Sequence, residues 1–375
     1  MKVLIIGTGL TGCTLARLLK DKGHEVSMIE KENYIGGLCI TRLNEDGFKY
    51  EPFGARTFHT GSEAVWKFVQ RFAQFNGYTH KKGMIINDRL YPFPLALESL
   101  NGFENKELIL EELNNRPSEI DQTNFESACL SIFGKTLYEY FIKNYSEKMW
   151  GMEPIELTAE WAPRRLELRL DNDDNLFRKQ WQGLPVHGYT HFLEQMIKDV
   201  PVFLQETRYD SSLYDVVITT APPDELLNFK YGRLRYRSIR FTYEKSEYWE
   251  NMEYGTVNLP QHERYFRKCN FNILHKQASR TNFIQYQEAT EADGSENPAM
   301  YPVNTTRYNA MFDQYLRDIC RSTNLCPAGR LGLYKYLDMD KAVECSALLV
   351  PLVEKYPSLS PQARYDRITA IRQSI

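Results

Sequence analysis

Gly7-Thr8-Gly9-Leu10-Thr11-Gly12 is a Gly-x-Gly-x-x-Gly run placed directly after the apolar stretch Val3-Leu4-Ile5-Ile6, and Met28-Ile29-Glu30-Lys31 and then Gly36-Gly37 follow it. That order reads as a buried strand, a glycine turn, a helix and a second strand ending in an acid. The glycines permit a tight turn and let the backbone close on a pyrophosphate, which is favoured at a helix N-terminus by free N–H groups and the macrodipole. Glu30, roughly 20 residues downstream, is placed to accept from an adenosine ribose hydroxyl. Gly7, Gly9, Leu10, Thr11, Gly12, Glu30, Lys31 and Gly37 are therefore candidate dinucleotide contacts. The competing reading is a glycine turn of structural value only.

These residues need a large scaffold, and 375 residues provide two or three domains of it. A net charge of −3 gives no general attraction to nucleic acid or acidic membranes. The seven cysteines are odd in number and scattered, with no Cys-x-x-Cys, so neither a disulfide framework nor a zinc site is expected and a reducing cytoplasm fits best. No basic segment precedes a signal-like apolar run, and no stretch approaches the roughly 18 apolar residues of a membrane span. The sequence reads as that of a soluble protein with no metal site.

Hydrophobic spacing divides the chain. Residues 1–80, 186–232 and 311–356 read as one discontinuous α/β dinucleotide-binding domain, with Tyr214 to Pro223 a further buried strand of its sheet and Ala342 to Val353 a helix. Residues 96–165 are mostly helical, and Phe125, Ala128, Cys129, Ile132, Leu137, Tyr140 and Phe141 recur at a spacing that lines a small bundle. Residues 81–95 and 233–310 switch to a period of two and predict an antiparallel sheet, with a hairpin turned at Asn87-Asp88. The polar stretch of about 164–180 reads as a solvated loop or as a mobile lid, and 357–375 as a polar, partly ordered C-terminal tail.

Three further segments narrow the reading: Phe58-His59-Thr60, Asn144-Tyr145-Ser146-Glu147-Lys148-Met149-Trp150-Gly151, and Gly329-Arg330-Leu331 followed by Tyr334-Lys335-Tyr336-Leu337-Asp338-Met339. With the N-terminal fingerprint and Tyr301-Pro302-Val303-Asn304 they resemble UDP-galactopyranose mutases in order, spacing and identity, over about residues 1 to 355. The resemblance implies an α/β fold: a Rossmann-type FAD-binding domain with an inserted helical bundle and an antiparallel β-sheet domain. It implies an isomerase that interconverts the pyranose and furanose forms of a nucleotide-linked sugar, by default UDP-galactose, through a covalent adduct of the anomeric carbon with N5 of reduced FAD. NAD(P)H is the implied reductant, and a homodimer the implied assembly.

The same resemblance assigns residues. Arg164 and Arg267 match the arginines that pair with the substrate diphosphate, a geometry in which a guanidinium fork outperforms an ammonium. Arg165 adjoins Arg164 and takes the role if the register slips by one. Tyr145, Tyr301 and Tyr336 match tyrosines that hold the uracil or donate to the diphosphate, although with 24 tyrosines in the chain packing is the competing role for each. Phe141, Ile142 and Trp150 fit a uridine pocket, Asn258 the uracil edge, and Arg237 and Leu176 complete the substrate set. Asp338 matches an acid near the diphosphate, with a helix N-cap as its alternative. Arg330 and Met339 match flavin contacts, and His59 a histidine beside the isoalloxazine in a catalytic or positioning role.

Several positions depart from the family pattern. Arg56 replaces a histidine, Leu176 replaces a tyrosine ahead of Phe177, Leu337 replaces the second tyrosine of a pair, and Lys268-Cys269-Asn270 replaces a histidine-containing strand. Two lost phenols near a diphosphate remove roughly 1 to 3 kcal/mol of hydrogen bonding unless Arg56 or Lys268 compensates. A deoxy or N-acetyl galactose-type nucleotide is therefore the main alternative substrate. A flavin oxidoreductase of the amine oxidase or desaturase kind is the more distant alternative.

Overall fold

The computed structural model describes residues 1–375 apart from 160–167, 170, 172, 295 and 323, so Arg164, Arg165 and much of the expected lid lie outside the described residues. Five parallel strands form one sheet in the order Val202–Leu204, Glu25–Glu30, Lys2–Ile6, Val216–Thr219, Leu325–Pro327. Val3, Leu4 and Ile5 are all buried because both sheet faces are covered, which is why this strand reads as a continuous apolar run rather than an alternating one. Lys2–Ile6 is central, and the chain leaves it first towards Glu25–Glu30 and later towards Val216–Thr219. A crevice therefore opens at its C-terminal end, where the direction of winding reverses. Helices Leu10–Asp21, Gly188–Met196 and Met339–Lys355 pack together against this sheet.

The second sheet has seven strands, in the order Tyr301–Pro302, Tyr236–Ser246, Asn282–Glu291, Arg267–Asn270, Thr256–Asn258, Lys82–Ile86, Arg89–Phe93. It is mixed rather than wholly antiparallel, because Thr256–Asn258 pairs in parallel with Lys82–Ile86. That parallel pair joins segments too far apart in sequence for a period-two pattern to fix their direction. The Lys82–Phe93 hairpin turns at Asn87 and Asp88, whose φ of 48° and 58° are the left-handed pair of a type I′ turn.

The bundle comprises Lys106–Asn114, Phe125–Tyr138 and Asn144–Trp150, with Phe125, Ala128, Cys129, Leu137 and Phe141 in its core. Gly134, at φ 72°, breaks Phe125–Tyr138 into two helical pieces. The Glu112 carboxylate accepts from Thr136 N at 2.8 Å and Thr136 Oγ1 at 2.9 Å, so the second piece begins with a side-chain cap from the neighbouring helix. A Cβ at Gly134 would lie 2.8 Å from Glu112 Cβ, so glycine is required there by space as well as by φ.

Residues 357–375 are not a partly ordered tail. Pro361–Ser374 is a helix capped by Ser360 and docked through Arg364, 4% exposed, and Ile368, fully buried. Its inward stripe runs Arg364, Ile368, Arg372, so an apolar pattern cannot reveal it. Ile368→Ala is expected to cost about 2–5 kcal/mol, seen as a lower melting temperature; an unchanged melting temperature would mean that the helix is not docked in solution.

Candidate active site

The crevice at the end of Lys2–Ile6 is closed by two tight backbone approaches. A Cβ at Gly7 (φ +97°) would meet Thr220 Oγ1 at 2.2 Å, and one at Gly12 would meet the Gly7 carbonyl oxygen at 2.0 Å. Gly9 is different: its nearest neighbour on that side is the Gly36 carbonyl oxygen at 4.0 Å, which leaves room for a ligand to approach. Gly9 also starts helix Leu10–Asp21 with no side-chain cap and no acid in the first turn, so the helix N-terminus is available to an anion. Glu30 is buried beside it and oriented by Thr8 N at 2.8 Å, Thr8 Oγ1 at 2.7 Å and Glu32 N at 3.1 Å. Thr8 Oγ1 in turn accepts from Gly36 N at 3.2 Å, tying the second glycine loop to the first. These residues fit the adenosine and pyrophosphate of a dinucleotide. Lys31 is exposed and only loosely paired to Glu32 at 3.9 Å.

Gly329 (φ +76°) abuts the same helix, with a would-be Cβ 3.3 Å from Thr11, so Arg330 is carried to the crevice. Arg330 donates to the Met300 carbonyl at 3.3 Å and the Leu337 carbonyl at 2.7 Å, and its guanidinium lies 5.3 Å from the Tyr301 ring and 4.6 Å from that of Tyr336. Those two rings stack with centroids 5.8 Å apart and planes within 9°. The Tyr336 hydroxyl donates to Asp338 Oδ1 at 3.1 Å. Asp338 occupies the N-cap position of Met339–Lys355, but its side chain makes no capping bond to that helix. Met339 meets the buried Cys39, sulfur to sulfur at 4.0 Å. Burial pushes the Cys39 thiol up to about 11, while the nearby guanidinia of Arg56 and Arg330 pull it down.

Arg267 approaches from the seven-stranded sheet. Its Nε donates to Asn258 Oδ1 at 2.9 Å, across the register pair Asn258 and Arg267, and its Nη2 donates to the Tyr145 hydroxyl at 2.5 Å. Burial disfavours its charge, but Tyr145, Cys269, Tyr301 and Tyr336 outweigh burial and raise its pKa. Among the described residues neither Arg267 nor Arg330 is ion-paired to a carboxylate.

A family model described as UDP-galactopyranose mutase matches residues 140–336, and a model of NAD(P)-binding Rossmann-like domains matches residues 5–72. A probable UDP-galactopyranose mutase of Klebsiella pneumoniae is 31% identical over 359 residues, 91% of each chain. The chain belongs to the UDP-galactopyranose mutase family. It is accordingly an isomerase with a flavin cofactor. A dTDP-fucopyranose mutase of Escherichia coli is 30% identical over 375 residues, 93% of this chain and 98% of that one. A crystal structure of reduced UDP-galactopyranose mutase shares the fold, with a TM-score of 0.80 at 16% identity over 99% of this chain and 98% of the other.

Within this mutase fold the sequence-assigned residues fall into two groups. Tyr145, Arg267, Tyr301, Arg330, Tyr336, Asp338 and Met339 are brought together as described. Arg237 is not a substrate residue: it is buried, donating to the Met149 carbonyl at 2.8 Å and the Lys148 carbonyl at 3.0 Å and paired with Glu291, so it caps the C-terminus of helix Asn144–Trp150. Phe141, Ile142 and Trp150 are buried in the bundle core, beneath Tyr145. Asn258 spends its carbonyl oxygen on Arg267 and so orients that guanidinium. Lys268 is paired with Glu250 and lies over the Trp249 ring at 5.2 Å; as the strand neighbour of Arg267 it faces the opposite side of the sheet and cannot replace a lost phenol.

His59 stacks on Phe177 with centroids 3.5 Å apart, on a short strand paired with Trp181–Gly183. Leu176 is half-buried beside it and donates its N–H to the His80 carbonyl at 2.7 Å. Two participants had no local signal. Lys179 donates to the buried Asp340 at 2.6 Å and so ties the C-terminal end of the expected lid to helix Met339–Lys355. His80 is buried under Phe177, with Nδ1 2.7 Å from Thr57 Oγ1. Arg56 donates to the carbonyls of Phe53, at 2.6 Å, and Gly54, at 3.1 Å, and thereby stiffens the turn before His59. Among the described residues no helix is long and apolar enough to cross a membrane, and no group of three metal-ligating side chains exists.

Gly12→Ala should give folded but colourless protein, because its Cβ closes the dinucleotide turn; a fully yellow variant would refute this cradle. Burial, aided by Lys82, Arg267 and His59, holds the His80 pKa well below that of a free imidazole. The unfolded chain protonates His80 below about pH 6.5 while the native state does not, so stability is present above that pH and lost as pH falls below it. Melting temperatures from pH 7.5 to 5 should therefore fall more steeply for the wild type than for His80→Gln; parallel curves would exclude His80 as the cause.

Proposed function

We propose that this mutase interconverts the pyranose and furanose forms of a nucleotide-linked galactose-type sugar, with UDP-galactose the first pair to test, using FAD reduced by NAD(P)H. The observation that carries the reading is the pair of guanidinia, Arg267 and Arg330, that have no carboxylate partner among the described residues and converge with Tyr145, Tyr301 and Tyr336 beside the dinucleotide crevice. A half-buried charge without a counter-charge is costly unless an anion completes it. A sugar-nucleotide diphosphate carries about two negative charges and so can complete such a guanidinium with charge to spare, and phenol hydroxyls supply neutral donors to its remaining oxygens.

Residues of this chain then divide the work. Gly9, Gly37 and Glu30 hold the adenosine and pyrophosphate of the cofactor, and Arg330 and Met339 meet its far end. Asn258 and Tyr145 fix two edges of the Arg267 fork so that it meets the substrate diphosphate without further ordering cost. Tyr336 and Asp338 orient one another at the same diphosphate, and Arg164, which lies outside the described residues, is its second cation. Developing charge on the departing diphosphate is stabilised by guanidinia already in place. When bound, a reduced flavin would supply the nucleophile for this exchange at the anomeric carbon, and the residues above would hold the substrate against it.

A second reading keeps this chemistry and changes the sugar to a deoxy type. It is supported by the dTDP-fucopyranose mutase relative and by Leu337, which stands where the family has a phenol and is buried, 2% exposed, in the core.

Purified protein incubated with UDP-galactofuranose or dTDP-fucofuranose, with and without dithionite, should convert one of them to the pyranose in the reduced sample only. Conversion without reductant, or of neither sugar by yellow protein, would overturn the reading. Arg267→Ala should keep its flavin and lose about 100-fold or more in kcat/KM; loss of flavin instead would place Arg267 at the cofactor.

A further inference from the structure

The segment that delivers Tyr336 to the site is short and strained. Helix Gly329–Gly332 ends at Leu333, and Tyr334 then adopts a left-handed conformation at φ 45°, unusual for a non-glycine residue. This turn sends Lys335 and Tyr336 back across the crevice. The Tyr334 ring is fully buried, and its hydroxyl is shared between the carbonyls of Val303, at 2.8 Å, and Arg235, at 2.9 Å. The backbone of the turn is held from outside, by the C-terminal helix. Arg372 donates from Nε to the Leu333 carbonyl at 2.8 Å and from Nη2 to the Tyr334 carbonyl at 3.1 Å and Asn309 Oδ1 at 3.3 Å. Lys335 Nζ returns a bond to the Arg372 carbonyl at 2.5 Å. The Arg372 guanidinium also lies 4.8 Å from the Phe312 ring, which fixes its approach.

We propose that Arg372 of the C-terminal helix is a positioning residue for the substrate site: by pinning the carbonyls of Leu333 and Tyr334 it holds the left-handed turn that sets Tyr336 against Tyr301, Arg330 and Asp338. The two carbonyls stand at the end of a helix, where no intrahelical donor remains for them, and a guanidinium fork satisfies both at once. Without it the turn keeps Tyr334's buried hydroxyl and the bonds from Tyr334 N to the Leu331 carbonyl at 3.0 Å and from Lys335 N to the Arg330 carbonyl at 3.1 Å, but its two outward carbonyls lose the fork that ties them to the C-terminal helix. Tyr336 then samples other orientations, and the cost falls on nucleotide binding rather than on the cofactor cradle, which is built from Gly7–Gly12, Glu30 and Gly36–Gly37. The remainder of the helix stays docked through Arg364, held by the Tyr356 carbonyl at 3.0 Å, and Ile368. The proposal rests on Tyr336 being a substrate contact.

The test is a double-mutant cycle on flavin-loaded full-length protein with Arg372→Met, Tyr336→Ala and both together, read by titration with UDP and dTDP, flavin content and melting temperature. Arg372→Met should weaken binding of the preferred nucleotide about tenfold with flavin content unchanged, and should add little further loss once Tyr336 is alanine. Arg372→Lys, which keeps the charge and loses the fork, should fall between the two and serves if the methionine variant folds poorly. Additive losses would assign Arg372 a merely structural role and overturn the proposal, as would wild-type affinity in Arg372→Met beside a weakened Tyr336→Ala. Wild-type affinity in Tyr336→Ala would overturn the assignment of Tyr336 to the site, and the proposal with it.

Discussion

Arg330 is the contact on which the arrangement of the site depends. Its guanidinium touches two separately built segments: the Met300 carbonyl and Tyr301 ring at a sheet strand, and the Tyr336 ring and Leu337 carbonyl ahead of helix Met339–Lys355, the two rings lying parallel. Gly329 presses its own backbone against Thr11 at the helix N-terminus that serves the dinucleotide. A single charged fork therefore sets the distance between the cofactor end of the crevice and the nucleotide end. Guanidinium suits this place because it keeps its charge at any physiological pH and stacks on aromatic faces while still donating in its plane.

The polarity of the crevice follows from what surrounds that fork. Arg56, Arg267 and Arg330 bring positive charge, and their neighbours among the described residues are carbonyls and phenols, with Asp338 and the buried Glu51 the acids nearest to them. Glu51 is already committed to Thr41 and His275, and Asp338 to Tyr336. The excess of cationic donors is a standing demand for anions, which a pyrophosphate-bearing cofactor and a diphosphate-bearing substrate meet at the two ends. His80, kept neutral by burial and by Lys82, Arg267 and His59, adds no charge of its own.

The dinucleotide crevice was legible because its determinants are local: an apolar run, three glycines at fixed spacing and an acid all lie within the first strand–helix–strand unit. The bundle was legible for the same reason, since Phe125, Ala128 and Cys129 share one helical face. What the sequence hid are features set by pairing at a distance. The direction of Thr256–Asn258 against Lys82–Ile86 is fixed by the sheet as a whole. Arg237 looks like a site arginine in a period-two run, yet its partners are the end carbonyls of a helix 88 and 89 residues away. The C-terminal helix buries an Arg-Ile-Arg stripe, and an arginine that satisfies backbone carbonyls is indistinguishable in sequence from one that faces water.

The departures from the family pattern differ in what they leave behind. Arg56 is directed into the turn ahead of His59 and acts on Cys39, whereas Leu176 and Leu337, which stand where the resemblance has phenols, offer no donor: Leu337 is 2% exposed in the core and Leu176 is half-buried with its N–H on the His80 carbonyl. Lys268 cannot restore those phenols from the far face of its strand, and Lys179, near the C-terminal end of the expected lid, is spent on Asp340. No phenol takes their place among the described residues, while Arg267 and Arg330 are kept. On the reading proposed above, the phenols these positions lack would have donated near the substrate, and an absent donor penalises a hydroxyl-bearing sugar while leaving a deoxy sugar unaffected, which is the physical case for testing a less hydroxylated hexose on the same diphosphate handle.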